Sequence, residues 1–181
     1  AGVITGLLRL GSVSSAGKEV TFAGLPPRGW FGEGSMLKDE ARQYDLYALQ
    51  DTELAMMNKA TFHWLAEHSV AFNRYLVRQL NERLGQFIAL VEHDRMHGPE
   101  GRLARNLAQL FNPVLNPPDP DAVGPPHLKI SQEDLGQLSG LSRPVANRAL
   151  NTLEAEGLIR LERAGVAILD LAGLRLYGDR E

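Results

Sequence analysis

The sequence predicts an α+β chain: an N-terminal, partial jelly-roll-like β-roll, then a long dimerisation helix, then a C-terminal winged helix-turn-helix. Three observations predict it. Eight of the 18 glycines fall before Met36, among short β-prone runs. Apolar residues recur at alternating three- and four-residue steps through the middle of the chain, and a capped helix-turn-helix pattern followed by a hairpin pattern closes it. The expected divisions are residues 1–60 for the roll, 61–97 for the helical dimerisation segment and 98–181 for the C-terminal domain.

The roll rests on β-prone runs at residues 3–10, 19–23, 44–49 and 53–56, separated by glycine and proline. Short strands with such punctuation are the pattern of a small sandwich or barrel. The chain opens at Ala1 directly in an apparent strand, with no initiator Met. The roll is therefore expected to be incomplete at its N-terminal side, and the chain to be a fragment.

The helix follows from Val70, Asn73, Val77, Leu80, Leu84, Phe87 and Val91, which repeat as the a/d seam of a coiled coil. Packing of a helix on its own β domain uses a broader stripe than this, so the seam is expected to be a dimer interface. Gly98 and Pro99 end the helix, and Pro99 suits the first turn of a shorter one over residues 101–111. Six of the 10 prolines then crowd into residues 112–127, which reads as a linker or an ordered surface loop.

The third zone carries the sharpest local signal. Ser131 and Asp134 resemble a capping box opening a short helix through Leu135 and Leu138, which stops near Gly140. After a turn of about four residues, Ser142 is placed to cap a second helix, with Pro144 tolerated in its first turn and Gly157 just past its end. Ala146, Ala149, Leu150 and Leu153 share one face of that helix; Arg143, Pro144, Asn147, Arg148 and Asn151 share the other. Residues 158–161 and 166–170 form the two strands of a wing. Such a second helix fits the major groove of DNA. There Arg143 or Arg148 suits guanine O6 and N7, Asn147 suits adenine, and Lys129, Ser131 and Ser142 suit phosphates.

Composition excludes several classes. With no cysteine there is no disulfide, thiolate nucleophile or cysteine-held cluster, and a reducing, cytoplasmic setting is expected. No apolar run approaches the length of a membrane span. The net charge of −3 shows no global basic bias, and residues 129–163 carry five basic and five acidic side chains. Attraction to phosphate must then come from the arrangement of charges. His93 and His97 have a helical metal-ligand spacing but no third ligand, so no metal is expected. A metal-dependent cupin enzyme needs histidines within its roll, and none of the five lies before residue 61, so an enzyme is not expected either.

The run ISQEDLGQLSGLSRPVANRALNTLEAEGLI resembles the helix-turn-helix of the CRP/FNR family of bacterial transcription regulators, whose cyclic-nucleotide-type roll, dimer helix and winged helix come in this order. The resemblance covers nearly the whole chain. It implies principal DNA contacts from Ser142, Arg143 and Arg148. Where a glutamate commonly follows the first arginine, Pro144 stands here, so the target sequence is expected to differ. In the roll, Gly32, Glu33, Gly34, Ser35 and Arg42 resemble the family's phosphate-binding cassette, in which Gly-Glu holds the ribose and arginine the cyclic phosphate. Gln43 and Tyr44 replace the small hydroxyl residue and alanine that follow, and Phe87 and Ile88 replace the polar pair that meets the purine. An effector site is thus expected at Gly32, Glu33, Gly34, Ser35, Arg42, Gln43 and Phe87. Its ligand is unidentified: no cofactor is expected, cyclic nucleotide being the one that the resemblance brings in and these departures oppose. An alternative is that Glu33 and Arg42 form an ion pair that fixes the loop.

The function expected is a homodimeric, sequence-specific regulator binding double-stranded DNA, modulated at the roll, with RNA polymerase a further candidate partner. The alternative is a ligand-independent regulator whose roll is structural or a protein-docking surface.

Overall fold

The structure is a computed structural model that describes residues 1–17, 19–96 and 98–178, the side chains of 92–97 excepted. Residues 3–10 do not make one strand. Gly6 breaks them at φ 89°, with the Asp51 carbonyl so close that no side chain fits. On either side lie β1 (Gly2–Thr5) and β2 (Leu8–Val13). A hairpin leads from β2 to β3 (Glu19–Leu25), and β4 (Asp45–Ala48) pairs with the other edge of β2, giving an antiparallel sheet of order β3-β2-β4. A second sheet pairs β1 with β5 (Glu53–Ala55). Val3, Leu8, Leu10, Ala23, Leu25 and Phe31 are buried between them as the core of the roll. Between β3 and β4 a single-turn helix, α1 (Glu33–Lys38), stands where the sequence offered only the cassette pattern.

The helical zone is broken once. Asn58 caps α2 (Lys59–His68), its side chain accepting from the Thr61 N–H at 2.8 Å, and the chain turns extended at Ser69 before α3 (Val70–Met96). The Asn73 amide ties across this break, donating to the Ala66 carbonyl at 2.6 Å. Then α4 (Pro99–Leu110) begins with proline at the position where a missing N–H costs nothing.

The proline-rich stretch is an ordered surface loop. The Asn112 carboxamide accepts from the N–H groups of Val114 and Leu115, and Arg28 donates to the Pro118 carbonyl at 3.1 Å while pairing with Asp119 at 3.0 Å. It ends in β6 (His127–Leu128), followed by α5 (Gln132–Leu138), α6 (Arg143–Ala155), β7 (Ile159–Glu162), β8 (Gly165–Ile168) and α7 (Leu171–Arg175). The wing is therefore three-stranded, of order β6-β8-β7, and not the two-stranded hairpin expected. The reason is a long-range pairing: the chain leaves the prolines extended and alongside the open edge of β8, where His127 and Leu128 pair with Ala167 and Val166. Neither β6 nor α7 was foreseen.

Roll and helix-turn-helix share a core. Leu7 is wholly buried and belongs to the same hydrophobic core as Leu103, Leu107, Leu135, Leu150 and Leu153. A Leu-to-Ala change at such a site typically costs 2–5 kcal/mol. Across the same boundary the Thr21 hydroxyl donates to the Gln137 carbonyl at 3.1 Å, and the Gln50 amide to the Lys129 carbonyl.

Candidate nucleic-acid interface

The two helices of the motif are fixed by their ends. Ser131 caps α5, accepting from the Asp134 N–H at 3.0 Å, and its hydroxyl donates back to the Asp134 carboxylate at 2.6 Å. That hydroxyl is spent on the cap. Ser142 holds the N-cap position of α6 with extended backbone, yet its side chain makes no capping bond. The expectation that it caps the helix is corrected: with Arg143 and Pro144 opening the first turn, Ser142 is exposed with its hydroxyl uncommitted to the helix. At the far end Gly157 has φ 74°, its N–H donating to Glu154 at 2.9 Å while Leu158 donates to Leu153 at 3.0 Å. These two bonds satisfy carbonyls that the helix end leaves open, and the positive φ favours glycine.

Burial divides α6 along its length. Ala146, Ala149, Leu150 and Leu153 are wholly buried, while Ser142, Arg143, Pro144, Arg148 and Asn151 are exposed. Asn147 lies between these faces, half-buried, with its carboxamide oxygen buried and unpartnered. Lys129 is exposed just ahead of α5. On the wing, Arg160 donates to the Glu162 carboxylate at 2.9 Å, and the His127 Nε2 lies 3.0 Å from its other oxygen. The bond from Arg160 is the main cause that holds the Glu162 carboxyl below its ordinary range.

Two residues that sequence reasoning passed over matter to this geometry. Arg102, on α4, donates to the carbonyls of Ser139 at 2.8 Å and Gly140 at 3.1 Å, gripping the turn that aims α6. Arg83, on α3, is largely buried and donates to the Trp30 carbonyl at 3.0 Å and to Gln86 at 3.1 Å. Burial lowers its pKa, with Glu33, Tyr44 and Tyr75 acting against that. Both arginines looked like ordinary helix-surface charges, so nothing in their spacing set them apart.

The residues proposed for an effector are only partly brought together. Gly32 caps α1 at φ 87°; Glu33, Gly34 and Ser35 form its first turn, half-buried, with one Glu33 oxygen buried and unpartnered. Arg42 is exposed and makes no ion pair with Glu33; its guanidinium lies over the Phe31 ring, 5.4 Å from the centroid. Gln43 is exposed and bonds to the Ala41 carbonyl at 3.2 Å. The cavity beside Glu33, lined by Trp30, Phe31, Phe72 and Tyr75, is only about 30 Å3. Small-molecule pockets begin near 300 Å3.

Of the residues assigned to the α3 seam, Val70, Val77, Leu80, Leu84 and Val91 lie exposed, Val77 at 67%. Phe87 departs from them, half-buried with its ring edge-to-face on Phe22 at 6.3 Å. Asn73 is occupied at the α2–α3 break, and Ile88, absent from the expected seam, is exposed. The helix carries its roll-facing stripe beside the seam, and Phe87 belongs to the former. The side chain of His93 and the whole of His97 fall outside what the structure describes. Among the described residues no cluster of three potential metal ligands occurs. No described helix is long and apolar enough to cross a membrane.

Comparison with known proteins fits this layout. Residues 2–69 match the cyclic nucleotide-binding domain family, and residues 101–177 the Crp-like helix-turn-helix domain family. The cyclic AMP receptor protein of Thermus thermophilus is 30% identical over 172 residues, which cover 94% of this chain and 74% of that protein. The chain belongs to the CRP/FNR family. A second relative, the CRP-like cAMP-activated global transcriptional regulator of Mycobacterium tuberculosis, is 28% identical over 93% of the chain and 74% of its own length. FixK2 of Bradyrhizobium japonicum shares the fold, with a TM-score of 0.72 at 19% identity over 96% of this chain and 83% of that one. As a CRP/FNR protein the chain is a DNA-binding transcription regulator, and α5 and α6 are its helix-turn-helix. The cyclic nucleotide-type domain of this CRP/FNR regulator is built from the two sheets, α1 and α2.

Proposed function

We propose that the chain acts as a homodimer that reads a near-palindromic duplex site, with one α6 in each of two major-groove segments about one helical turn apart. The observation that carries this reading is the division of α6 into a buried inner face and an outer face exposing Ser142, Arg143, Arg148 and Asn151. The exposed apolar line on α3 supplies the surface through which a second copy would set the spacing of the two helices. Lys129 and the uncommitted hydroxyl of Ser142 would position the phosphates, and the two arginines would read base edges. Asn147 takes the lesser part, since its acceptor faces inward. The proposed setting is the cytoplasm, and no catalytic step is assigned.

The test is selection from random duplexes. Enrichment of an inverted repeat with half-sites one turn apart is the expected result, and enrichment of none counts against the reading.

The roll would act as a modulating domain without cyclic nucleotide as its ligand. Arg42 stacked on Phe31, the small cavity at Glu33 and the apolar Phe87 all support this. Calorimetry with cyclic AMP and cyclic GMP is expected to show no binding at micromolar concentration; binding in that range would overturn it.

A further inference from the structure

The first two turns of α6 turn donors outward. Arg143 and Arg148 are exposed, and a guanidinium carries N–H groups and no acceptor. Asn147 is half-buried with its carboxamide oxygen buried and unpartnered, so the N–H groups are the part of the amide left toward the open side. The paired contact of a carboxamide to N6 and N7 of adenine needs that oxygen, and is closed to Asn147. Pro144 and Val145 carry no polar side-chain atom. The carboxylates of α6 and its C-cap are engaged beyond this face. Glu154 accepts from the Leu161 N–H of β7 at 2.6 Å, and Glu156 accepts from the Tyr177 hydroxyl at 3.0 Å. The Thr152 hydroxyl donates to the Arg148 carbonyl at 3.1 Å. Asn151 is exposed, but it stands about 12 Å along the helix axis from Arg143, past the N-terminal residues that meet base edges.

We propose that the reading face of α6 is donor-only: each half-site is recognised through the acceptor atoms of the major groove, purine N7, guanine O6 and thymine O4, and not through the amino groups of cytosine or adenine. The inference deepens the DNA-binding reading above and rests on it. Ser142 does not disturb it, since a hydroxyl that meets a phosphate oxygen can only donate. An amino group at a contacted position sets N–H against N–H and leaves a buried donor unmade, so it acts only to exclude. The same arrangement puts no negative charge of α6 into the groove, which is how a domain with balanced charges still meets phosphates favourably. A methyl group added to an adenine or cytosine amino group removes no hydrogen bond that this face makes.

The test uses the full chain and the selected duplex, with single base atoms replaced and affinity read by fluorescence anisotropy. Each purine of a half-site is replaced in turn by its 7-deaza analogue, which lacks N7. Binding is expected to weaken about fivefold or more at a separate position for each arginine. In other duplexes 2-aminopurine replaces adenine, still pairing with thymine but with no amino group in the major groove, and 2-pyrimidinone replaces cytosine with the same effect. These changes are expected to alter affinity by less than about twofold. A loss of about fivefold or more from either one overturns the proposal, because an acceptor of the protein then reads that amino group. Arg143 and Arg148 are exposed, so Arg143→Ala and Arg148→Ala leave the fold intact. Each is expected to abolish the 7-deaza loss at its own position. Losses that persist in both variants come from altered stacking of the DNA and overturn the proposal, as does the absence of any 7-deaza loss. Selection that enriches no inverted repeat overturns the underlying reading together with the proposal; the base-analogue results overturn the proposal alone.

Discussion

Gly136 on α5 and Ala146 on α6 cross so closely that a Cβ on the glycine would stand 3.3 Å from the alanine Cβ and 3.1 Å from the Leu141 carbonyl oxygen. The angle between the two helices therefore depends on one missing methyl group. Gly136→Ala gains up to about 1 kcal/mol of helix propensity and loses a similar amount as its neighbours shift, so its urea midpoint should move little. Gly136→Leu has no space for its further carbons and should lose about 1–3 kcal/mol. Its DNA affinity should fall even at temperatures where the protein remains folded, because α6 is re-aimed. Equilibrium urea denaturation and a gel-shift titration measure the two effects separately.

Arg143 and Arg148 stand free on the outer face of α6, so truncation should leave the fold alone. Each change to alanine should cost about 1–3 kcal/mol of affinity for the selected site. A side chain that reads a base should also relax the preference at one position of each half-site, while one that binds phosphate should weaken all sequences alike and reduce the salt slope by about one. Fluorescence anisotropy at several salt concentrations distinguishes these outcomes.

The order of roll, long helix and winged helix-turn-helix was legible because each part has a strong periodic or punctuating signal. Gly157, Ser131 and the buried face of α6 are local features, and the structure has them where the sequence puts them. What escaped depends on partners far away in the chain. Phe87 keeps heptad spacing but meets Phe22, a contact that no spacing reveals. Arg102 and Arg83 gain their roles only from carbonyls of Ser139, Gly140 and Trp30. The third wing strand exists because two residues after the prolines happen to reach β8. Ser142 shows the converse, a residue of the right type in the cap position that makes no capping bond.

Leu84 lies in the middle of the exposed line on α3, 58% exposed, with Val77 and Val91 one heptad to either side. Leu84→Arg removes no buried contact within a chain, so the melting temperature of the isolated chain should hold. In a dimer joined along this line the substitution would place two guanidiniums in an apolar seam, and the desolvation cost should drive dissociation. Sedimentation velocity should show the mass of one chain for Leu84→Arg and of two for the parent. Arg78→Ala, an exposed polar position on the same helix, should leave the dimer intact. Parent protein that sediments as one chain at tens of micromolar would refute the seam.

Two tyrosines make the fold sensitive to high pH. Tyr75 is pushed up to about 12, first by burial and then by the Glu33 charge. Tyr177 is also pushed up to about 12, by burial and then by its hydrogen bond to Glu156, to which its hydroxyl donates at 3.0 Å. In the unfolded chain both phenols ionise near the ordinary value of 10.0. Above pH 10 the unfolded state thus releases protons that the folded state still holds. The stability tied to these groups is complete below that pH and is lost as the pH rises through about 12. Absorbance at 295 nm should show Tyr75 and Tyr177 ionising late, with Tyr44, which burial also raises, above the ordinary value as well, and the urea midpoint should fall across the same interval. Tyr177→Phe keeps the ring beside α6 while removing the ionisable group, so it should flatten part of that fall. A fall of the same steepness in Tyr177→Phe would show that the Glu156 contact is not among its causes.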